Sequence, residues 1–168
     1  SVFTRSLTGS IAQKKSIILV NIEEYTAGYG SNFLSNYYII PMDTDSRQKL
    51  REAYSKYLDD FENKKLNRKG KNTTKTYGSI LLHANWGTFS NSTPNNGEGK
   101  AYLGYEFVKG SPYFTIHAYP MANKYYDPVV DAVDKESLNL TYYFTKSQMK
   151  DLLDSITEEN ISDVCSVL

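Results

Sequence analysis

The fold is decided by residues 77–120, which read YGSILLHANWGTFSNSTPNNGEGKAYLGYEFVKGSPYFTIHAYP. Apolar and polar residues alternate in three runs of this stretch, and a period of two is typical of a strand with one buried face. The runs predict strands at 77–89, 101–107 and 113–119. The segment 90–99 is rich in Asn, Ser, Thr, Pro and Gly, and it is predicted to be a loop.

The register of the second and third strands follows from the turn between them. A two-residue loop at Lys109-Gly110 places Tyr105 opposite Phe114 and keeps every apolar residue on one face. The same register places Leu103 opposite Ile116. The predicted apolar face therefore consists of Ile80, Leu82, Ala84, Trp86, Ala101, Leu103, Tyr105, Phe107, Phe114, Ile116 and Ala118.

Further strands and two helices are predicted on either side of this region. Short apolar or alternating runs indicate strands at 16–22, 37–42 and 138–144. A helix is predicted at 44–66, where Asp43, Thr44 or Asp45 can cap its start and Gly70 follows its end. Its inward stripe consists of Leu50, Tyr54, Tyr57, Leu58 and Phe61. A second helix is predicted at 146–156, opened by a capping box of Thr145 and Gln148.

These elements predict an α+β domain. We expect a mostly antiparallel sheet of about five to six strands, with the two main helices packed on one face. Residues 1–13 show no sustained period and are predicted to be an irregular N-terminal arm, so that residues 14–168 form a single domain.

Composition narrows the classes of partner and cofactor. Nineteen basic residues balance nineteen acidic ones, so no overall field attracts the chain to nucleic acid or to an anionic membrane. No apolar run has the length of a membrane span. The single cysteine excludes a multi-cysteine zinc site, and the acidic residues of 127–134 lack the spacing of a calcium loop. We therefore predict no nucleic-acid partner, no membrane span, no metal and no cofactor.

The location of the protein is predicted from composition alone. A chain rich in Tyr, Asn, Ser and Thr and poor in Cys is typical of a bacterial extracytoplasmic protein, so a periplasmic or secreted location is favoured over a cytoplasmic one. Cys165-Ser166-Val167-Leu168 has the form of a prenylation box, but Cys165 also fits the apolar stripe of a helix, and we favour a buried cysteine.

The second face of the central strands is the candidate functional surface. It carries both histidines and several tyrosines, and tyrosine is suited to wet recognition surfaces because its ring is apolar and its hydroxyl is polar. We predict a non-catalytic binding or assembly domain for a carbohydrate, peptide or protein partner. The predicted ligand-binding residues are His83, Asn85, Tyr102, Tyr113, Thr115, His117 and Tyr119.

The alternative is a small hydrolase-type enzyme that uses the same face. In one allowed register His83 lies across from Glu106, and these two residues with His117 would supply an acid–base pair. The sequence contains no nucleophile elbow, no HExxH motif and no glycine-rich phosphate loop. Binding is therefore the favoured function, and catalysis by His83, Glu106 and His117 is the alternative.

Overall fold

A computed structural model describes residues 3–11, 18–27, 33–67, 76–88, 95–129, 135–137 and 139–160, with the backbone alone described up to residue 42 and at 85, 87 and 88. Seven strands and two named helices follow in chain order. They are β1 (Phe3–Ile11), β2 (Ile18–Ala27), β3 (Phe33–Met42), α1 (Thr44–Glu62), β4 (Gly78–Thr88), β5 (Asn95–Val108), β6 (Ser111–Ala118), β7 (Leu140–Phe144) and α2 (Lys146–Ser155).

The sheet is antiparallel, and strands that follow one another in the chain are neighbours in space, in the order β1 to β7. The predicted α+β class with an antiparallel sheet is confirmed. The predicted number of five to six strands is not confirmed. Four strands, β4–β7, have described side chains, and β1–β3, of which only the backbone is described, extend the sheet to seven strands. Residues 3–11 form β1 rather than an irregular arm. A single domain at 14–168 stays a prediction.

The β5–β6 turn has the predicted register. Leu103 lies opposite Ile116 and Tyr105 opposite Phe114. The two loop residues, Lys109 and Gly110, have φ angles of +50° and +85°. A two-residue hairpin loop of this kind needs positive φ at both positions, because its twist then matches that of the strands.

Strand β5 begins earlier than predicted. Asn95 pairs with Trp86, so residues 95–99 form part of the strand and not part of a loop. Strand β5 approaches Met121 closely at Gly97 and Gly99, where an added Cβ would lie 3.0 Å from Met121 Cβ and 2.9 Å from Met121 Sδ respectively. Residues 90–94 of the predicted loop, and residue 89 at the end of the predicted strand, lie outside the described residues.

The predicted division of the central strands into two faces is confirmed. Ten of the eleven residues assigned to the apolar face are buried, and Phe107 is half-buried against them. Trp86 is 3% exposed and is a packing residue, as expected. The buried residues of the apolar face belong to one hydrophobic cluster. This cluster also includes Leu50, Ala53, Tyr54 and Tyr57 of α1 and Met149 and Leu153 of α2.

Helix α1 begins with Asp43, whose Oδ1 accepts a hydrogen bond of 2.7 Å from the amide of Ser46. It ends at Glu62, four residues before the predicted end, and Lys64 then takes a positive φ of 55° while Lys65 N donates to the carbonyl of Asp60 at 2.8 Å. This left-handed residue closes the helix where Gly70 was predicted to do so, and Gly70 lies outside the described residues.

The predicted capping box of Thr145 and Gln148 opens helix α2. Its C-terminal end is held by Arg51 of α1, whose guanidinium donates to the carbonyls of Leu153 at 3.0 Å and Ile156 at 3.1 Å. A third helical segment starts at 158–160. None of the helices in the described part of the chain combines the length and the apolar character that a bilayer crossing requires.

Candidate functional site

The surface of β4–β7 that points away from the hydrophobic cluster is called the tyrosine face. Tyr119 (53% exposed), Leu81 (43%) and Tyr143 (40%) make it accessible to solvent. Its described side chains are Ser79, Leu81, His83, Glu98, Lys100, Tyr102, Glu106, Tyr113, Thr115, His117, Tyr119, Thr141 and Tyr143. Six of the seven predicted binding residues are among them. Asn85 lies in β4 opposite Asn96, and only its backbone is described.

Three rings form an edge-to-face group on this surface. Tyr102 lies opposite His117 on neighbouring strands, and Tyr119 contacts both residues. The centroid of the Tyr119 ring lies 5.4 Å from that of Tyr102 and 4.4 Å from that of His117, with interplanar angles of 75° and 83°. Perpendicular contacts of this type are favourable because the positive edge of one ring meets the negative face of the other. We call this set the Tyr119 group.

His117 is held by the strand beside it. Its Nδ1 lies 2.7 Å from Thr141 Oγ1, and its Nε2 is buried without a hydrogen-bond partner in the described part of the protein. Burial lowers the pKa of His117, and the nearby carboxylate of Glu106 opposes this shift in part. A neutral imidazole has one N–H group that requires an acceptor, whereas a protonated one has two. The neutral form therefore fits the structure.

Acidification is expected to reduce stability through His117. Its pKa in the folded protein is lower than the ordinary value of about 6.5, so the unfolded chain binds the proton more readily. Protonation of His117 therefore contributes nothing to the free energy of unfolding well above about pH 6.5, and it lowers that free energy as the pH falls below about 6.5. Urea unfolding at a series of pH values would measure it, and His117→Gln should flatten the slope. An identical slope in the parent and the variant would contradict the assignment.

A second group lies towards the β5–β6 turn. Tyr143 Oη donates a hydrogen bond of 2.7 Å to Glu106 Oε2, and Glu106 pairs with Tyr113 across the two strands. The rings of Tyr113 and Tyr143 are 6.3 Å apart and nearly perpendicular, at 88°. These three residues are called the Glu106 group. Tyr143 and Thr141 were missed as site residues. The alternation of residues in their strand could be seen in the sequence, but the pairing of β7 with β6 could not.

The predicted pairing of His83 with Glu106 is wrong. The register of β4 and β5 places His83 opposite Glu98, with 3.7 Å between His83 Nδ1 and Glu98 Oε2. Lys124 Nζ lies 3.1 Å from the same oxygen, and its hydrogen bond and charge lower the pKa of the Glu98 carboxyl. The negative charge of Glu98 is thus already balanced by the charge of Lys124.

The three residues of the catalytic alternative do not meet in one pocket. The β4 residue in line with Tyr102 and His117 is Ser79, four positions from His83, which corresponds to about 13 Å along a strand. Two open surface pockets occur elsewhere, beside the C-terminal half of α1. One has a volume of about 450 Å³ and contains Phe61 and Phe107, and the other, of about 400 Å³, contains Asp60 and Tyr77. Within the described ranges, no group of three His, Cys, Asp or Glu side chains is placed to hold a metal ion.

The chain was compared with known proteins, solved structures and protein families. No curated protein and no solved structure shows significant similarity to this chain. A family described as "Uncharacterised Treponema protein" matches residues 1–163. The match covers far more than half of the sequence, and the chain therefore belongs to this family of uncharacterised Treponema proteins.

Proposed function

We propose that this protein is a non-catalytic binding or assembly domain of a bacterium, acting outside the cytoplasm, and that the tyrosine face contacts a carbohydrate, peptide or protein partner. The bacterial part of this proposal is supported by the family, whose description refers to Treponema. The extracytoplasmic part is supported by the composition, with 15 tyrosines and one cysteine.

The architecture that we propose leaves the tyrosine face for the partner, with both helices on the opposite face of the sheet. This is supported by the hydrophobic cluster, in which residues of α1 and α2 pack with Ile80, Leu103 and Phe114 of the apolar face. A hydrogen bond of 2.9 Å from Tyr54 Oη to the carbonyl of Lys146 further joins the two helices over this face.

The observation that carries the proposal is the Tyr119 group. Tyr119 is 53% exposed although it lies beside two other rings, so an amphipathic aromatic surface faces solvent. The mutual contacts of the rings restrict their rotation before a partner binds. Pre-ordered tyrosines lose little conformational entropy on binding, and aromatic residues are enriched where proteins recognise their partners.

The proposal is tested with glycan and peptide arrays probed by the parent protein, Tyr102→Ala and Tyr119→Ala. We expect each substitution to weaken retained binding by about tenfold, because each removes a large part of the contact surface. Tyr125→Ala is the matched control, since Tyr125 is 66% exposed and lies in the segment between β6 and β7, which we call the connector.

The proposed surface is rejected if Tyr102→Ala and Tyr119→Ala bind the same array spots as strongly as the parent. It is also rejected if Tyr125→Ala weakens binding as much as they do. Circular dichroism spectra of all the variants should match that of the parent, so that lost binding is not a consequence of unfolding.

A further inference from the structure

We propose that the Glu106 group binds the guanidinium of an arginine side chain supplied by a protein or peptide partner. This inference rests on the proposed binding function and assigns the partner's chemistry at one end of the tyrosine face. It concerns Glu106, Tyr113 and Tyr143, which are separate from the Tyr119 group.

The geometry of the group supplies two aromatic surfaces and one carboxylate. The rings of Tyr113 and Tyr143 meet at 88°, which makes a corner, and the Tyr143 hydroxyl lies 2.7 Å from Glu106 Oε2. Tyr143 is 40% exposed and the other two side chains are half-buried, so that solvent reaches the corner. A cation placed over the face of a tyrosine is attracted by the negative charge of that face.

Within the described residues, no ion pair balances the charge of Glu106. Glu98, on the same face, lies 3.1 Å from Lys124, whereas Glu106 forms no ion pair with any residue in the described part of the chain. The Glu106 carboxylate acts to raise the pKa of His117, but burial has the larger effect and the pKa stays below its ordinary value. A half-buried carboxylate gains more from an added cation than a solvated one does, because water screens the attraction less.

Arginine fits this corner better than a compact ammonium group. Its guanidinium is planar, stacks on aromatic faces and donates to carboxylates through a fixed set of N–H groups. One carboxylate oxygen of Glu106 accepts from Tyr143, and the guanidinium can donate to the other while it stacks on a tyrosine ring. A lysine or a quaternary ammonium group would use the rings but lacks this planar match.

The test uses N-acetyl-arginine N-methylamide as the probe and the corresponding citrulline derivative as its neutral isostere. Both are titrated into the full chain and followed by two-dimensional NMR of the backbone amides and the tyrosine rings. We expect the arginine probe to shift signals of Glu106, Tyr113 and Tyr143, and the citrulline probe to bind at least about tenfold more weakly.

Variants separate the carboxylate from the rings. Glu106→Gln is expected to weaken binding of the arginine probe about tenfold and Tyr143→Ala about fivefold. Glu52→Gln, a charge change on the exposed side of α1, is the control and should leave binding unchanged. The lysine analogue and choline are added as competitors, and both are expected to bind more weakly than the arginine probe.

Equal binding of the citrulline probe, an unaffected Glu106→Gln variant, or tighter binding of choline or the lysine analogue would overturn the assignment. A failure here is distinguishable from a failure of the proposed function. Array binding that depends on Tyr102 and Tyr119 but is indifferent to arginine would keep the tyrosine face as a binding surface and remove only this inference.

Discussion

Replacing Phe114 with alanine is expected to lower the free energy of unfolding by about 3 to 5 kcal/mol. Phe114 is fully buried in β6, and its ring lies 5.6 Å from the rings of both Tyr54 and Tyr57 of α1. Truncation removes the ring from the contact between the sheet and this helix, and neighbours in close-packed strands and helices collapse into such a cavity only in part.

Urea unfolding monitored by circular dichroism would measure this loss, provided that the slope of the unfolding free energy against urea concentration is the same in the variant and the parent. The control is Tyr125→Ala, which removes an aromatic ring that is 66% exposed and should change stability by less than about 0.5 kcal/mol. If Phe114→Ala costs no more than Tyr125→Ala, the division of the central strands into an apolar face and a tyrosine face is incorrect.

That division could be predicted because it depends on local signals. Alternation at a period of two assigns each residue of a strand to a face, whatever the rest of the chain does. The Lys109-Gly110 loop then fixed the pairing of β5 with β6, since a two-residue hairpin allows little choice of register. The cap at Asp43 and the capping box at Thr145 are equally local, because their hydrogen bonds span three residues.

The start of β5 could not be predicted from such signals. Its first residues, Asn95 to Gly99, include two asparagines and two glycines, which are depleted in strands. They form a strand because β4 pairs with them on one side, while Asn96 accepts a hydrogen bond of 2.8 Å from Lys124 N of the connector on the other. Tertiary contacts override the weak preference of these residues for strands.

The error at the start of β5 also explains the error at the candidate site. Because the strand resumes at Asn95, the partner of His83 is Glu98, eight positions before Glu106 on the same face. Both pairings keep the apolar residues on one face, so the alternation of apolar and polar residues does not decide between them. Tyr143 was missed as the partner of Glu106 for a related reason, since it belongs to β7, whose place beside β6 depends on the path of the connector.

Gly97→Ala is expected to destabilise the protein by about 1 to 3 kcal/mol, because it adds a methyl group where the connector crosses β5. The new Cβ would lie 3.0 Å from Met121 Cβ, 3.1 Å from the carbonyl oxygen of Ala122 and 3.2 Å from Trp86 Cζ3. Two of these neighbours belong to or adjoin the backbone, and the third is a ring that is 3% exposed, so none can move without disturbing the core.

Gly99→Ala is the matched comparison, because the same change is made two residues away on the same face. Its Cβ would meet only the Cγ and Sδ atoms of Met121, each at 2.9 Å, and a methionine side chain can adopt other rotamers. Its cost should be less than about 1 kcal/mol, since alanine also lowers the entropy of the unfolded chain. Urea unfolding of both variants distinguishes the two positions. A Gly97→Ala variant as stable as the parent would show that the connector does not pack against β5, and the contact between Lys124 and Glu98 on the tyrosine face would then lose its structural support.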